Sequence, residues 1–200
     1  MSFARLMFGP VALGVVLFSV GCDNTLALPL AVTPNIIDTV TLHALQGTPI
    51  NAASGFDVIV GLTARTDRQS DADRLRGIPP PGFDIAFDIG DDSLALIFTT
   101  GALGLNARSG IQSSDRAFGD IVIAPLEDYQ LDTLVVGVDS VFIVRSRLTS
   151  FGCVFFLGRL PRYGKFHVLD LNLETRQITL ENLVNVNCGY RGLEFGIPTR

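Results

Sequence analysis

Short runs in which apolar residues alternate with polar or small ones recur along this chain and constrain its fold more than any other feature. In the run 83–89, Phe83, Ile85 and Phe87 fall on one side, with Asp84, Ala86 and Asp88 opposite. A period of two residues is typical of a half-buried β-strand. Comparable runs, some continuously apolar, are found at 39–45, 56–62, 94–98, 121–124, 134–138, 141–144, 154–157, 166–171 and 178–183.

The spacing of these runs predicts an all-β architecture. No long window between them carries a 3.6-residue apolar period with caps at both ends, so no helix is expected beyond the N-terminus. About ten short strands separated by turn residues indicate an antiparallel β-sandwich or an open barrel. We expect one domain over residues 38–200, with long loops at 64–82 and 101–119. The first of these loops is interpreted as an insertion between strands.

The N-terminus has the pattern of an export signal. Arg5 precedes a stretch of 15 uncharged, mostly apolar residues, Leu6–Val20. About 20 apolar residues are needed for a permanent membrane span, so this stretch is short for that role and suits the apolar region of a signal peptide. We therefore expect residues 1–21 to be a signal-peptide helix.

The leader ends at Ser19-Val20-Gly21-Cys22 and is followed by Asp23. This segment resembles the lipobox of bacterial lipoproteins, which implies that the Cys22 thiol carries a diacylglycerol. Ser19 departs from the Leu that this family prefers, which leaves an ordinary secretory leader and an uncleaved anchor as alternatives. Residues 22–37 are then a Pro-punctuated, flexible tether. The expected location is the cell envelope, on the periplasmic or surface face; the choice between inner and outer membrane stays open.

Assigning Cys22 to lipid leaves Cys153 and Cys188 as an even pair in an oxidising compartment. A disulfide between them closes a loop of 35 residues. The rival interpretation is a metal site with His167, but two Cys and one His need a further donor. We therefore expect a disulfide and no metal.

The charge distribution is uneven along the chain. Residues 23–140 hold 16 acids and 6 bases, whereas residues 141–200 hold 4 acids and 8 bases. Two interpretations remain open: complementary halves that pair within one domain, or a basic face for an anionic ligand or headgroup. The overall net charge of -5 argues against nucleic-acid binding.

The last third of the chain concentrates cations and tyrosines near Cys188. If Cys153 and Cys188 are joined, these side chains can share a face. We hypothesise a ligand-binding rim, with Arg for an anion and Tyr for stacking. The alternative is a polar turn stapled by a disulfide, with Arg residues at a strand edge. The rim residues are Arg159, Arg162, Tyr163, Lys165, Tyr190 and Arg191.

No recognisable catalytic motif is present. The chain has two histidines, His43 and His167, and it lacks nucleophile-elbow, zinc-protease and phosphate-loop patterns. Asp88, Asp91 and Asp92 surround Gly90, but their spacing does not match a calcium loop and fits a charged hairpin turn. We expect no catalytic residue and no cofactor.

Two short motifs carry a family resemblance. Residues 83–88, Phe-Asp-Ile-Ala-Phe-Asp, and 163–166, Tyr-Gly-Lys-Phe, resemble segments of the HmuY-like lipoproteins, over about residues 83–185. The resemblance implies an all-β surface lipoprotein, and some members of that family capture haem. Phe83 stands where the family more often has Trp, and neither histidine aligns with a family ligand pair.

The expected function is therefore a non-enzymatic, lipid-anchored module of the cell envelope that binds an unidentified ligand or protein partner through its loops. Two alternatives are carried with it. One is haem capture through His43 or His167. The other is a hydrolase that uses carboxylates which the sequence does not single out.

Overall fold

A computed structural model of the chain describes Leu28 and residues 30–67, 82–106, 108–148, 154–155 and 158–199. The predicted leader, Cys22, Cys153 and most of the predicted insertion 64–82 lie outside these residues. The described part contains twelve strands and one 3-10 turn, Phe118–Asp120. The strands are β1 Ile37–His43, β2 Gly55–Asp57, β3 Leu62–Ala64, β4 Ile85–Ile89, β5 Ala95–Thr99, β6 Gly110–Ser114, β7 Leu134–Val136, β8 Val141–Arg145, β9 Val154–Phe155, β10 Gly158–Arg159, β11 Tyr163–Asn172 and β12 Gln177–Asn185.

Two antiparallel sheets of five strands form a sandwich, as the alternation predicts. Sheet I has the order β1-β12-β11-β8-β6, and sheet II has the order β3-β2-β4-β5-β7. A separate hairpin joins β9 and β10. No helix among the described residues has the length and apolar character to span a bilayer.

The main core lies between the two sheets, where the inward-facing residues of both meet. Its centre is an aromatic cluster in which the Phe166 ring lies 5.2 Å from both Phe56 and Phe142. Phe56 comes from sheet II, and the other two come from sheet I. This packing explains why period-two runs from distant parts of the chain were the strongest signal for the fold.

A second, smaller core covers the outer face of sheet I. Residues 117–131 and the C-terminal segment lie across this face and bury Phe118, Ile121 and Leu193 against Ile143 and Leu183. Both faces of sheet I are therefore apolar over much of their area. This layer was not predicted, because the 121–124 run was expected to be a strand. It forms only an isolated bridge, Ile123 with Gly192.

Two further expectations about loops and strands were wrong. The predicted loop 101–119 contains β6, which pairs along its whole length with β8. The predicted strand 56–62 is instead a hairpin, because residues 58–61 turn and Gly61 adopts a positive φ of 72°. The left-handed region is open to glycine at little cost, so the chain reverses there.

The end of the predicted tether belongs to the folded domain. Asn187 Oδ1 accepts the backbone N–H groups of Val32 and Thr33, both at 3.1 Å. Asn35 forms an antiparallel bridge with Gly196. Residues 32–37 are consequently fixed on the domain, so a tether running to residue 37 is too long.

Candidate functional site

The two ends of the sandwich are distinct, and β1 connects them. Its first residue, Ile37, follows the N-terminal segment, and its last, His43, precedes the loop 44–48. Seven residues at about 3.3 Å each separate the ends by roughly 20 Å. We call the end with residues 30–37 and 185–197 the basal end, and the end with residues 43–48, 88–94 and 172–177 the distal end.

A groove of about 590 Å³ opens at the distal end. Such a volume lies within the range of small-molecule sites in proteins. Its lining includes the apolar side chains of Leu96, Phe98 and Leu173. The polar residues that line it are Gln46, Asp88, Asp91, Ser93 and Arg176.

Arg176 is held rigidly in this groove. Its Nε donates to the Gln46 carbonyl at 2.8 Å, and its Nη2 donates to the Ile89 carbonyl at 3.0 Å and lies 3.3 Å from Asp88 Oδ1. Gly47 has a positive φ of 73°, and a Cβ there would come within 2.8 Å of Arg176 Nε, so glycine is favoured beside this side chain. The hydrogen bonds of the guanidinium to described residues use Nε and Nη2.

Two of the three aspartates around Gly90, Asp88 and Asp91, line this groove, and the hairpin interpretation fits all three. Gly90 N–H donates to the Leu94 carbonyl at 2.9 Å, and Asp92 Oδ1 accepts the Leu94 N–H. Asp88 is engaged by Arg176. Within the described residues, no three His, Cys, Asp or Glu side chains are arranged to hold a metal ion.

A buried ionic cluster joins the two sheets near the aromatic core. Arg147, just after β8 of sheet I, donates through Nη1 and Nη2 to both Asp57 oxygens at 3.1 Å. Its Nη1 also lies 3.0 Å from Asp84 Oδ2. Asp84 accepts the backbone N–H groups of Val58 and Arg147 as well. All three charged side chains are at most 2% exposed.

Burial and the attraction between opposite charges together set the pKa values in this cluster. Loss of solvent raises the pKa of Asp84 to about 7; Arg147 opposes the rise and Asp57 adds to it. Burial disfavours the charged form of Arg147, but attraction to Asp84 and Asp57 prevails and raises its pKa. The cluster is sealed from solvent, so it cannot meet a substrate. It ties sheet I to sheet II.

The predicted rim does not form one exposed face. Tyr163 and Lys165 are about 5% and 4% exposed, because they lie under the second core. Arg159 is exposed, whereas Arg162, Tyr190 and Arg191 are half-buried. The hypothesis of a shared rim is therefore wrong for the two buried residues, and the alternation in β11 is the reason: its outer face is covered rather than solvated.

Lys165 has a structural role inside that second core. Its Nζ donates to the Phe118 and Ile121 carbonyls at 2.8 and 3.0 Å and lies 4.4 Å from the Phe118 ring centre. Burial lowers the pKa of Lys165, and Glu181 and Glu194 oppose this shift. The ammonium thus satisfies the carbonyls of the 3-10 turn and holds it on sheet I.

Arg162 and Cys188 lie beside one another at the basal end. Arg162 Nη2 is 3.7 Å from Cys188 Sγ, and Nη1 donates to the Ile59 carbonyl. Burial lowers the pKa of Arg162, and Asp57 and Asp84 oppose this shift. Cys153 lies outside the described residues, so the predicted pairing with Cys188 stays a prediction.

The two histidines do not converge. His167 Nδ1 is 3.3 Å from Glu181 and its Nε2 is 3.6 Å from Asp139. His43 lies beside Gln177 at the distal end of β1. His167 pairs with Glu181 and Glu181 pairs with Thr39, so His167 and Thr39 are two strand spacings apart. His43 lies four residues further along β1, which puts the two histidines about 16 Å apart. Two ligands of one metal ion lie only about 4 Å apart.

No protein-family model matches the chain, and no curated protein shows detectable similarity to it. The two motifs that carry the HmuY-like resemblance lie in structural positions. Asp84 of the first belongs to the ionic cluster, and Lys165 of the second holds the 3-10 turn. The resemblance therefore stays a prediction, and function must be argued from the sites of this structure.

Proposed function

We propose that the chain is an exported β-sandwich, anchored by lipid on Cys22, that binds a small polar ligand in its distal groove without catalysing a reaction. The observation that carries the binding role is the rigid Arg176 in a groove at the end opposite the N-terminal segment. An anchor at the basal end turns this groove away from the membrane. A ligand in the cell envelope can then enter it.

The charges of the groove favour a ligand with a hydrogen-bond acceptor. Arg176 Nη1 can donate to a carbonyl, carboxylate or hydroxyl oxygen, while Asp91 on the rim can accept from a hydroxyl or amine. The apolar lining residues Phe98 and Leu173 suit the carbon skeleton of such a molecule. Sugars and small amino-acid derivatives have this combination of groups.

Non-enzymatic action is part of this proposal. Asp57 and Asp84, the two carboxylates that lie close together, are buried and paired with Arg147. His167 is flanked by Asp139 and Glu181, but a nucleophile within hydrogen-bond reach is also needed for acyl transfer. The hydroxyl of Ser140, next to Asp139, accepts the Gly137 N–H at 2.9 Å, and Ser114 lies two strands from His167, about 10 Å away. Ligation of one haem iron by both histidines is opposed by their separation; haem capture through His43 or His167 alone stays a prediction.

Fatty-acid labelling tests the anchor. Cells that express the whole chain are fed an alkyne-tagged palmitate, and Cys22→Ser is compared with Ser19→Leu, which restores the residue that the lipobox prefers. We expect labelling of the wild type and of Ser19→Leu and none of Cys22→Ser. Equal labelling of all three, or of none, contradicts lipid attachment at Cys22.

A fragment screen tests the groove. Small polar fragments are added to isotope-labelled protein, and amide shifts are recorded for the wild type and Arg176→Gln. We expect binding fragments to shift Gly47 and Gly90 and to lose affinity in the variant. The matched control is Arg116→Gln, in the separate cleft beside β6. Fragments that bind wild type and Arg176→Gln equally contradict the assignment.

The disulfide Cys153–Cys188 is proposed with the export assignment. Val154, next to Cys153, pairs with Arg159 in the β9–β10 hairpin, and Gly189 N–H donates to the Pro161 carbonyl at 3.3 Å. The turn that holds Cys188 therefore lies beside the segment that follows Cys153. Intact mass before and after reduction, with thiol alkylation, counts free thiols. Two alkylated thiols without reduction contradict the bridge.

A further inference from the structure

Five large apolar side chains at the basal end are more than half exposed. Their exposed fractions are 87% for Leu30, 78% for Val32, 60% for Ile36, 75% for Phe195 and 52% for Ile197. We call this set the basal patch. Exposed apolar residues scattered singly are ordinary, whereas a group at one place on a soluble domain marks a contact surface.

The backbone brings two of these side chains, Ile36 and Phe195, together. Asn35 and Gly196 exchange N–H···O bonds of 2.7 and 3.0 Å in an antiparallel bridge, so Ile36 and Phe195 are neighbours across it. The Asn35 side chain is 1% exposed and donates inward to the Gly192 and Glu194 carbonyls. Residues adjacent in an extended segment point to opposite sides, so Ile36 and Phe195 face outward.

The patch is also held rigidly. Asn187 accepts from the N–H groups of Val32 and Thr33 and donates to the Thr33 carbonyl at 2.8 Å. A polar side chain thus fixes a segment whose own apolar side chains contact water. Their exposure is consequently a feature of the fold and not of a loose terminus.

The position of the patch along the chain identifies what covers it. Leu28 approaches Gly189 at the basal end, and Cys22 precedes Leu28 by six residues. A fully extended chain spans at most about 3.6 Å per residue, so the lipid-bearing residue lies within roughly 20 Å of Leu28. With the acyl chains in the bilayer, the patch is held at the membrane surface.

We propose that the basal patch inserts into the interfacial layer of the phospholipid bilayer that carries the anchor. This inference rests on the proposed lipid attachment at Cys22. Apolar side chains at the headgroup boundary bury several ångströms into it and add to the hold of a lipid anchor. The contact orients the sandwich, because it sets the basal end on the membrane and directs the distal groove outward. Exposed Arg159, near the same end, adds attraction to anionic headgroups.

The absence of tryptophan from the chain permits a direct test. Phe195→Trp is introduced as the sole tryptophan in the full-length protein, which is expressed with its leader, purified from membranes and reconstituted into phosphatidylethanolamine–phosphatidylglycerol vesicles. The matched control is Leu126→Trp, at a position 65% exposed on a different loop. Emission wavelength and quenching by a brominated phospholipid are recorded for both proteins.

We expect the emission of the Phe195→Trp protein to move to shorter wavelength and to be quenched by brominated lipid, while Leu126→Trp shows neither effect. Equal quenching of both reporters, or of neither, in lipidated protein overturns the proposal. A blue shift that grows with protein concentration in detergent, without quenching by brominated lipid, also overturns it, because a second copy then covers the patch.

Failure of the anchor is distinguished by mass. Intact mass of the same sample reports the lipid on Cys22, so a lipidated protein without quenching overturns the patch alone. An unlipidated protein whose Phe195→Trp reporter is quenched by added vesicles supports the patch and overturns the anchor. An unlipidated protein without quenching overturns both.

Discussion

Replacing Arg147 by Met leaves two carboxylates buried without their cation. Asp57 and Asp84 are 2% and 0% exposed, and the guanidinium makes three contacts of 3.0–3.1 Å with them. Removing one partner of a buried ion pair costs about 3–5 kcal/mol. For a chain of this size each kcal/mol lowers Tm by about 2–4 °C, so we expect a drop of roughly 6–20 °C.

The cost should depend on pH. The folded pKa of Asp84 is raised from 3.8 to about 7, so its contribution to stability is fully present below about pH 4 and is lost as the pH rises through 7. Three pKa units correspond to at most about 4 kcal/mol in the wild type. Arg147 opposes this rise, so its removal extends the loss to higher pH. The difference in unfolding free energy between wild type and Arg147→Met should therefore stay nearly constant up to about pH 6 and grow from there to pH 8.

Urea unfolding, followed by circular dichroism from pH 5 to 8, measures both effects in the mature chain carrying Cys22→Ser. Arg65→Met is the matched control, because Arg65 pairs with Asp67 at the surface, at 2.7 Å. An exposed pair contributes at most about 1 kcal/mol. If Arg147→Met costs no more than Arg65→Met, or if its cost is constant over this pH range, the account of the cluster is refuted.

Three further changes test other parts of the fold. Lys165→Met leaves two carbonyls of the second core without their donor, and we expect a loss of about 1–3 kcal/mol with faster amide exchange in residues 117–124. Unchanged exchange there contradicts the role of the ammonium. Asn187→Ala removes the acceptor for two N–H groups of the N-terminal segment; proteolysis near residue 32 should accelerate, and resistance equal to wild type is the opposing result. Reduction of the proposed Cys153–Cys188 bridge should lower the free energy of unfolding by about 3–4 kcal/mol, measured from the urea midpoint with and without reductant. An unchanged midpoint speaks against the bridge.

The strands whose pattern is local were predictable from sequence. Four strands lie within a few residues of the apolar runs that predict them: β1, β8, β11 and β12. In each, the apolar or polar character of a side chain indicates which face of the sheet it occupies. β6 was missed because Gly110, Ser113 and Ser114 look like a loop. It is a strand because β8 supplies the partner for its hydrogen-bond ladder. The glycine at 110 has a packing reason of its own, since a Cβ there would come within 2.7 Å of the Tyr129 side chain.

The sites were much less predictable. Asp57 and Arg147 are 90 residues apart, and no local period relates them. The available signal was an aspartate inside an apolar run, as in Phe56-Asp57-Val58, since a carboxylate in a buried strand needs a partner. Lys165 was singled out for the wrong reason: it belongs to a concentration of cations and tyrosines near Cys188, and only the tertiary structure shows that it lies on a covered face of β11.

The charge asymmetry along the chain now has a structural explanation in part. Asp57, Asp84 and Asp88 belong to sheet II or its edges, whereas Arg147 and Arg176 belong to the ends of sheet I strands. Each of these ion pairs thus joins the acidic first part of the chain to the basic last part. Charge complementarity between the two parts of the chain does not account for every cation, because the exposed Arg159 forms none of the ion pairs between described residues. Since Arg159 lies toward the basal end, the two interpretations of the asymmetry are compatible. Some of the bases form ion pairs between the two sheets, and exposed bases such as Arg159 can contact lipid headgroups under the proposed membrane contact.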